Sequence, residues 1–300
     1  MLARASAAIL GVELLIYLLL GHGLVRAGGW SIGSAVALVI LMALALRWAV
    51  VLVTFLSAWF WRKPRMPEEQ IGAYATARLV WREAMTMFWV FNVLQPLEAR
   101  LMPADRLDHG TRTVVLVHGY CCNRAAWWWL ARRLRERGWN VATANLEPVL
   151  GDIEELADRI ARRVEQVCAQ CGVDRVAIVT HSMGGLVARA YVRRAGARRV
   201  AQLITLGAPH GGTRIATLGL GRNARQMEVG NPWLQTLAST ALPAALPATC
   251  IYSVHDNFVA PQSNQSLEGA RNVPVKGVGH LELLRDDEVA TLVLGALDKS

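Results

Sequence analysis

The sequence holds no second C-x-x-C to match the one at Cys168 and Cys171. That absence removes a four-cysteine zinc site. A redox C-x-x-C belongs at the start of a helix after a strand; this one closes a helical stretch, just before Gly172. The five cysteines are an odd number and read as plain buried or half-buried thiols, in keeping with a reducing compartment. Internal repeats and low-complexity tracts are also lacking. Acidic residues are nearly missing at the N-terminus, where Glu13 is the only acid between residues 5 and 25. No small-x-small cleavage site follows that run, which argues against a removed signal peptide. The formal charge is +9, mostly from arginine, yet no nucleic-acid-binding motif accompanies it, and no nucleic-acid partner is expected. Arg132, Arg133, Arg135 and Arg137 cluster, as do Arg193, Arg194, Arg198 and Arg199. These clusters suit either an anionic membrane surface or a solvated helix face.

What is abundant is apolar. Hydrophobic residues make up 53% and the mean hydropathy is +0.28, with the excess concentrated before residue 62. Residues 5–25 lie between Arg4 and Arg26 and have the length and polarity of a transmembrane helix. Gly28-Gly29 reads as a tight turn. A second apolar run, 31–61, carries Arg47 inside it and would reach about 46 Å as one helix, more than the ~30 Å hydrocarbon core. It must tilt, snorkel Arg47, or end as an interfacial stretch at Trp59-Phe60-Trp61. The reading is a transmembrane helical hairpin over 1–65. The alternatives are a single signal-anchor and a hydrophobic helical cap docked on the following domain. Arg4, Arg62, Lys63 and Arg65 lie on one side of the hairpin and Arg26 alone on the other, so the positive-inside rule puts both termini in the cytoplasm.

Residues 66–110 read as a helical linker, lying against the membrane or packed on the flank of the following domain, with Trp81, Met85, Phe88, Trp89 and Phe91 at apolar positions that suit core packing more than a specific lipid site. From Thr111 to the end, strands alternate with helices. Strands are expected at 113–117, 141–145, 176–179, 200–206, 249–254 and 273–278, and helices at 125–137 and 151–168. The last of these carries Ile153, Leu156, Ile160, Val164 and Val167 at three- and four-residue steps. This alternation gives the α/β class, with a mainly parallel sheet covered on both faces. The stretch 213–247 interrupts it with three prolines.

The chain is organised around residues 176–191. A buried strand runs into Thr180-His181-Ser182-Met183-Gly184-Gly185, then a helical pattern begins. This strand–turn–helix is the context of a nucleophile elbow, in which a sharp turn lifts a serine hydroxyl above the sheet. Free amides and the positive dipole end of the new helix sit behind Ser182. Ser182 is the candidate nucleophile.

At these residues the sequence resembles the α/β-hydrolase superfamily, and within it the bacterial serine lipases and esterases of the triacylglycerol lipase kind. Thr180 stands where the motif's first glycine usually sits, which bears on how sharply the turn is made. The resemblance covers roughly 111–295. It implies an α/β-hydrolase fold, a cap insertion at 213–247, and a triad in the order Ser, acid, His. His280, after the last strand in Gly277-Val-Gly-His-Leu, is then the base. His210, in Ala208-Pro-His-Gly-Gly, fits a structural turn, and His255 comes too early. Asp256 follows strand 249–254 in a D-x-x-V-x-P loop and is the orienting acid; Asp286 and Asp287 read as helix N-terminal charges. The resemblance places the oxyanion hole at the backbone N–H groups of Tyr120, after His118-Gly119, and of Met183. Of Trp127, Trp128 and Trp129, one or two are candidates to wall an acyl pocket, while the others pack or face the membrane. Within the cap, Leu218, Leu220, Trp233, Leu234 and Leu237 either line that pocket or form the cap's own core.

The implied protein is a membrane-anchored serine hydrolase of the bacterial inner membrane, with its catalytic domain in the cytoplasm. It cleaves lipid-like acyl esters through an acyl-enzyme and requires no cofactor or metal. Its expected partners are the acyl-ester substrate and the membrane, and its oligomeric state is open. The alternatives are an acyltransferase using the same triad, and an inactive hydrolase-like membrane scaffold.

Overall fold

Short runs of β-branched residues become strands where both faces can be buried. Six strands form here, five of them largely buried and the last, at the sheet edge, largely exposed: β1 (Thr113–Val117), β2 (Asn140–Ala144), β3 (Val176–His181), β4 (Val200–Leu206), β5 (Ala248–Ser253) and β6 (Arg271–Val275). The computed structural model describes residues 1–64, 66–110 and 112–298, the Glu68 side chain excepted. The expected flanking charge at Arg65 and domain start at Thr111 therefore lie outside the described residues. The strands form one sheet in the order β2-β1-β3-β4-β5-β6, and every neighbouring pair is parallel. Alternate side chains feed opposite layers: Val114 and Leu116 enter one core, Val115 and Val117 the other.

The helices that cover the sheet follow from their caps and stripes. Between β2 and β3, α6 (Ile153–Cys171) opens on Asp152, whose carboxylate accepts from Glu154 N–H, and closes on Gly172 in the left-handed conformation. Both are standard helix-end devices. With α7 (Met183–Ala195) it fills one face. On the other lie α5 (Trp128–Glu136), which begins after a short tight turn, and α10 (Asp287–Leu297), capped by Asp286. The interruption at 213–247 holds two short helices, α8 (Arg222–Gln226) and α9 (Pro232–Ala238). Leu234 and Leu237 are buried against the α6–α7 layer, whereas Leu218 and Leu220 point outward.

The N-terminal region is helical throughout its long elements. The apolar runs are α1 (Leu2–Arg26) and α2 (Ile32–Trp61), two helices long and apolar enough to cross a membrane. Glu13 and Arg47 pair between them, and Arg47 also donates to Asn92 Oδ1 at 3.0 Å. The α1 start is tied to two later parts of the chain: the Met1 ammonium lies 2.8 Å from Glu147, after β2, and Ser6 Oγ accepts from Gln95. The second half of α2 docks on the sheet domain, with Val51 in its core and Thr54 and Ala58 buried.

Next come α3 (Ala73–Phe88), extended by a wide turn at Trp89–Leu94, and α4 (Glu98–Leu101). Here the expectation of core packing needs correction. Trp81 is 56% exposed, and Phe88 and Trp89 are also exposed. The buried stripe is Leu79, Glu83, Thr86, Met87 and Val90. Met85 and Phe91 are partly buried against the core as expected, so the helix keeps an apolar inner stripe but sets a carboxylate in it and turns three aromatics outward.

The docking of α2 rests partly on one polar contact, in which Asn257 Nδ2 donates to Thr54 Oγ1 at 2.9 Å. Thr54→Val leaves that buried donor unpaired, at a cost of about 1–3 kcal/mol. The expected outcome is a lowered thermal midpoint of the detergent-solubilised protein; an unchanged midpoint means that α2 docks without this bond.

Candidate active site

The functional residues gather at the carboxyl ends of the strands, where loops diverge and leave backbone groups open. After β1 come His118, Gly119 and Tyr120; after β3, Ser182; after β4, Gly207; after β5, Asp256; and after β6, His280.

Ser182 adopts φ +55°, ψ −128° directly before α7. A non-glycine residue there is strained by roughly 1–3 kcal/mol, and neighbouring bonds must hold it. Those bonds are Ser182 N–H to Leu206 C=O at 2.8 Å and Gly185 N–H to Ser182 C=O at 2.9 Å. The new helix passes so close to β1 that a Cβ on Gly184 would lie 2.5 Å from the Val117 carbonyl oxygen. Thr180, in place of the usual glycine, is fully buried within β3 and donates to Ile204 C=O at 3.3 Å. The left-handed turn falls on Ser182 itself, so a side chain at 180 does not obstruct it.

Asp256 and His280 are both buried and joined by a 2.7 Å hydrogen bond from Nδ1 to Oδ2. The other Asp256 oxygen accepts from Phe258 N–H and Val259 N–H, each at 2.7 Å. With its Nδ1 proton held by the carboxylate, the imidazole offers Nε2 as the proton acceptor. Burial, the largest influence, pushes His280 down, but the charge and hydrogen bond of Asp256 and the charge of Glu83 outweigh it and leave it above the ordinary imidazole value. Gly207 sits between these groups at φ +59°; a Cβ there would stand 3.3 Å from His280 Nδ1 and 3.4 Å from Asp256 Oδ2. Its neighbour Leu206 accepts from Ser182 N–H, so the serine and the Asp–His pair are built on one stretch of backbone.

The loop after β1 is oriented by His118. Leu146 N–H donates to its Nε2 at 3.0 Å, so Nδ1 carries the proton and donates to Gly119 C=O at 2.9 Å. Burial pushes His118 down to about 4, which keeps this tautomer neutral. In a trans peptide the carbonyl and the following N–H point oppositely; holding Gly119 C=O therefore aims Tyr120 N–H the other way. Among the described residues that amide donates to no backbone carbonyl. Met183 is the first residue of α7, and first-turn amides have no intrahelical acceptor. The Tyr120 hydroxyl reaches the interruption after β4, donating to Leu220 C=O at 2.7 Å and accepting from Leu220 N–H at 2.8 Å.

The remaining expected residues fall into supporting places. His210 lies between Thr205 and Arg189, and burial first, then Arg189, holds it well below the ordinary imidazole value. His255 accepts from Gly277 N–H. Trp127 is fully buried, its ring edge-on to His181, and packs rather than walling a pocket. All five cysteines are free thiols. Among the described residues no group of three His, Cys, Asp or Glu side chains is set to hold a metal ion.

Two residues escaped sequence reasoning. Asn257 Oδ1 accepts from His280 N–H at 3.0 Å while its amide donates to Thr54. Glu83 of α3 is fully buried and accepts from Leu281 N–H at 3.0 Å and Glu282 N–H at 2.9 Å. One signal for it was present: Glu83 stands four residues from both Leu79 and Met87, on the apolar stripe of its helix.

The fold is of the α/β-hydrolase class found in lipases. The structure superposes on Aspergillus fumigatus lipase B with a TM-score of 0.57 and 18% identity, over 65% of this chain and 55% of that one. On the mature Bacillus licheniformis lipase BlEst2 the TM-score is 0.56 at 16% identity, over 66% of this chain and 96% of that one. The family model described as palmitoyl protein thioesterase matches residues 113–264, half of the chain, and the chain belongs to that family. The match takes in Ser182 and Asp256 and ends before His280. A triacylglycerol lipase from Pseudarthrobacter phenanthrenivorans is 32% identical over 111 residues, 34% of each chain. One from Burkholderia plantarii is 32% identical over 111 residues, 34% of this chain and 31% of its own. The matched stretch thus spans about a third of the length of these curated relatives.

Two measurements follow from the geometry. Ser182→Gly removes the backbone strain, because glycine adopts positive φ readily. It is expected to raise unfolding stability by about 1 kcal/mol while abolishing any serine-dependent turnover; a loss of stability shows that the turn is not strained. A raised His280 is protonated until pH climbs above the ordinary value of about 6.5, and a base must be neutral to act. The acid limb of kcat/KM is therefore expected above pH 6.5, and a limb below it contradicts the Asp256 and Glu83 influence.

Proposed function

We propose that this protein is a membrane-anchored serine hydrolase that cleaves lipid-like acyl esters. The observation that carries the reading is Ser182, held at positive φ at the start of α7 and bonded to Leu206, whose neighbour Gly207 lies against the buried Asp256–His280 pair. In this mechanism Ser182 attacks the ester carbonyl as His280 Nε2 takes its proton. Asp256 holds the imidazole and stabilises its charged form. The amides of Tyr120 and Met183 receive the developing oxyanion. His280 then protonates the leaving alcohol, and water, activated by the same imidazole, resolves the acyl-enzyme.

The same steps cleave a thioester, with a thiol as the leaving group. The family's thioesterase description favours testing S-acyl substrates beside esters. The lipase names of the curated relatives favour a lipid-like acyl chain. An acceptor alcohol in the assay separates hydrolysis from acyl transfer, since only a transferase diverts the acyl group to it.

The proposed organisation is a membrane hairpin over 1–65, a helical linker over 66–110 and a catalytic domain over 111–300, with 213–247 as its cap. Membrane attachment is supported by the apolar α1 and α2 and by the outward aromatics of α3. Tryptophans at such positions suit the headgroup region. The Met1–Glu147 contact favours an N-terminus on the same side as the catalytic domain. With the basic flanks Arg4, Arg62 and Lys63, the positive-inside rule makes that side the cytoplasmic face of a bacterial inner membrane.

The test is labelling of the detergent-solubilised protein with a fluorophosphonate probe. Wild type is expected to label, Ser182→Ala to lose the label entirely, and His280→Ala to label at least a hundredfold more slowly. A well-folded wild type that does not label removes the hydrolase reading and leaves the scaffold.

A further inference from the structure

The loop that carries His280 is gripped from outside the sheet domain. From α3, Glu83 spans the two amides that directly follow the imidazole residue, Leu281 and Glu282. Both carboxylate oxygens are used, and the side chain is fully buried. A bidentate carboxylate on consecutive amides is a strong, charge-assisted contact, and it fixes the direction of the backbone leaving His280. Two further α3 contacts reinforce it: Thr86 Oγ1 donates to Glu282, and Arg82 pairs with Glu282 at 2.6 Å and Asp286 at 2.9 Å.

An acid is a costly residue for such a clamp. A neutral glutamine would bury more cheaply, but it has one acceptor oxygen and would turn its NH₂ toward the second amide. Nothing else in the Ser182–Asp256–His280 arrangement needs a charge at this point. The carboxylate faces Asp256 and His280, and it carries no ion-pair partner among the described residues. Arg82 and Arg285 are already engaged by Glu282 and Asp286.

We propose that Glu83 is a positioning residue for the candidate base. It fixes the His280 loop through two amides and adds a second negative charge, after Asp256, that favours the protonated imidazole. The inference rests on the hydrolase reading given above. Glu83 lies before residue 113, outside the family match, so the proposed catalytic centre depends on a helix that this match does not include.

The electrostatics agree with the geometry. Burial is the largest influence on Glu83 and raises it; the two amides and the charge of His280 lower it, Asp256 raises it again, and the result is about 7. The charged groups around it are Arg82 on its own helix, His280, Glu282, Arg285 and Asp286 on the facing loop and the start of α10, Asp256 after β5, and His181 at the elbow. His181 is held neutral, well below the ordinary value, chiefly by burial. Glu83 is thus held above the ordinary carboxyl value and His280 above the ordinary imidazole value, and each charge acts on the other. As pH falls the imidazole gains a proton and loses its use as a base, and the clamp loses its charge as it passes about 7.

The experiment is the pH profile of fluorophosphonate labelling and of kcat/KM for wild type, Glu83→Gln and Glu83→Asp, with Met87→Ala as a packing control on the same helix. In Glu83→Gln the rate near pH 8 is expected to fall roughly ten- to a hundredfold. Its acid limb is expected to move down by about half a unit or more. Glu83→Asp keeps the charge but is one methylene too short for both amides; it should lose rate while its limb stays near wild type. Met87→Ala should lower the thermal midpoint without moving the limb. If Glu83→Gln does not fold, the Glu83→Asp profile decides: full activity in Glu83→Asp overturns the inference. An unshifted limb in folded Glu83→Gln overturns it too, leaving Glu83 a structural contact. Those outcomes leave the hydrolase reading standing, because wild type still labels at Ser182. A wild type that never labels removes both.

Discussion

The 2.7 Å hydrogen bond between His280 and Asp256 makes demands that spread through the molecule. A buried carboxylate and imidazole are tolerated only when their remaining polar atoms are satisfied. The second oxygen of Asp256 is met by two amides of its own loop, Phe258 and Val259. The backbone of His280 is met by Asn257, and Asn257 by Thr54 of α2. The residues after His280 are met by Glu83 of α3. Following the satisfied groups outward from one hydrogen bond leads into two helices that precede the whole sheet.

Those helices therefore face two environments. On their inner sides they supply polar contacts to loops at the carboxyl end of the sheet. On their outer sides they carry leucines, tryptophans and phenylalanines that water disfavours. The charged pair of Glu13 and Arg47 is shared between α1 and α2 near Asn92, where polar partners are at hand. Such a region resists division into an anchor and an enzyme. The same segments are apolar on their outer faces and carry, among apolar core residues, the polar contacts that reach the loops.

How far the sequence could be read follows from the range of the forces involved. The β-branched runs, the Asp152 and Gly172 caps and the stripe of α6 are local, and they were legible. Ser182 was legible because the elbow compresses its whole requirement into a few adjacent residues. Asp256 and His280 were found through the order of a known family, since nothing local marks either as a partner of the other. Glu83 and Asn257 act on His280 through contacts that only the folded chain creates. Glu83 meets Leu281 across 198 positions of sequence, and helical spacing gave only its burial. The aromatics of α3 were assigned to the core because periodicity finds an apolar face without saying what it faces. Thr180 looked like an obstacle to the turn, but the unusual dihedral belongs to Ser182 and the threonine sits in an ordinary strand.

The pair of hydrogen bonds between the Tyr120 hydroxyl and Leu220 has a mechanical meaning. Tyr120 supplies an amide aimed by His118, and its ring ends on a segment whose leucines, Leu218 at 66% and Leu220 at 71%, are among the most exposed in the protein. The aromatic ring is a rigid rod between the two. One side chain thus spans from the loop after β1 to an exposed surface tip, and the tip is fixed to that loop through both its carbonyl and its amide.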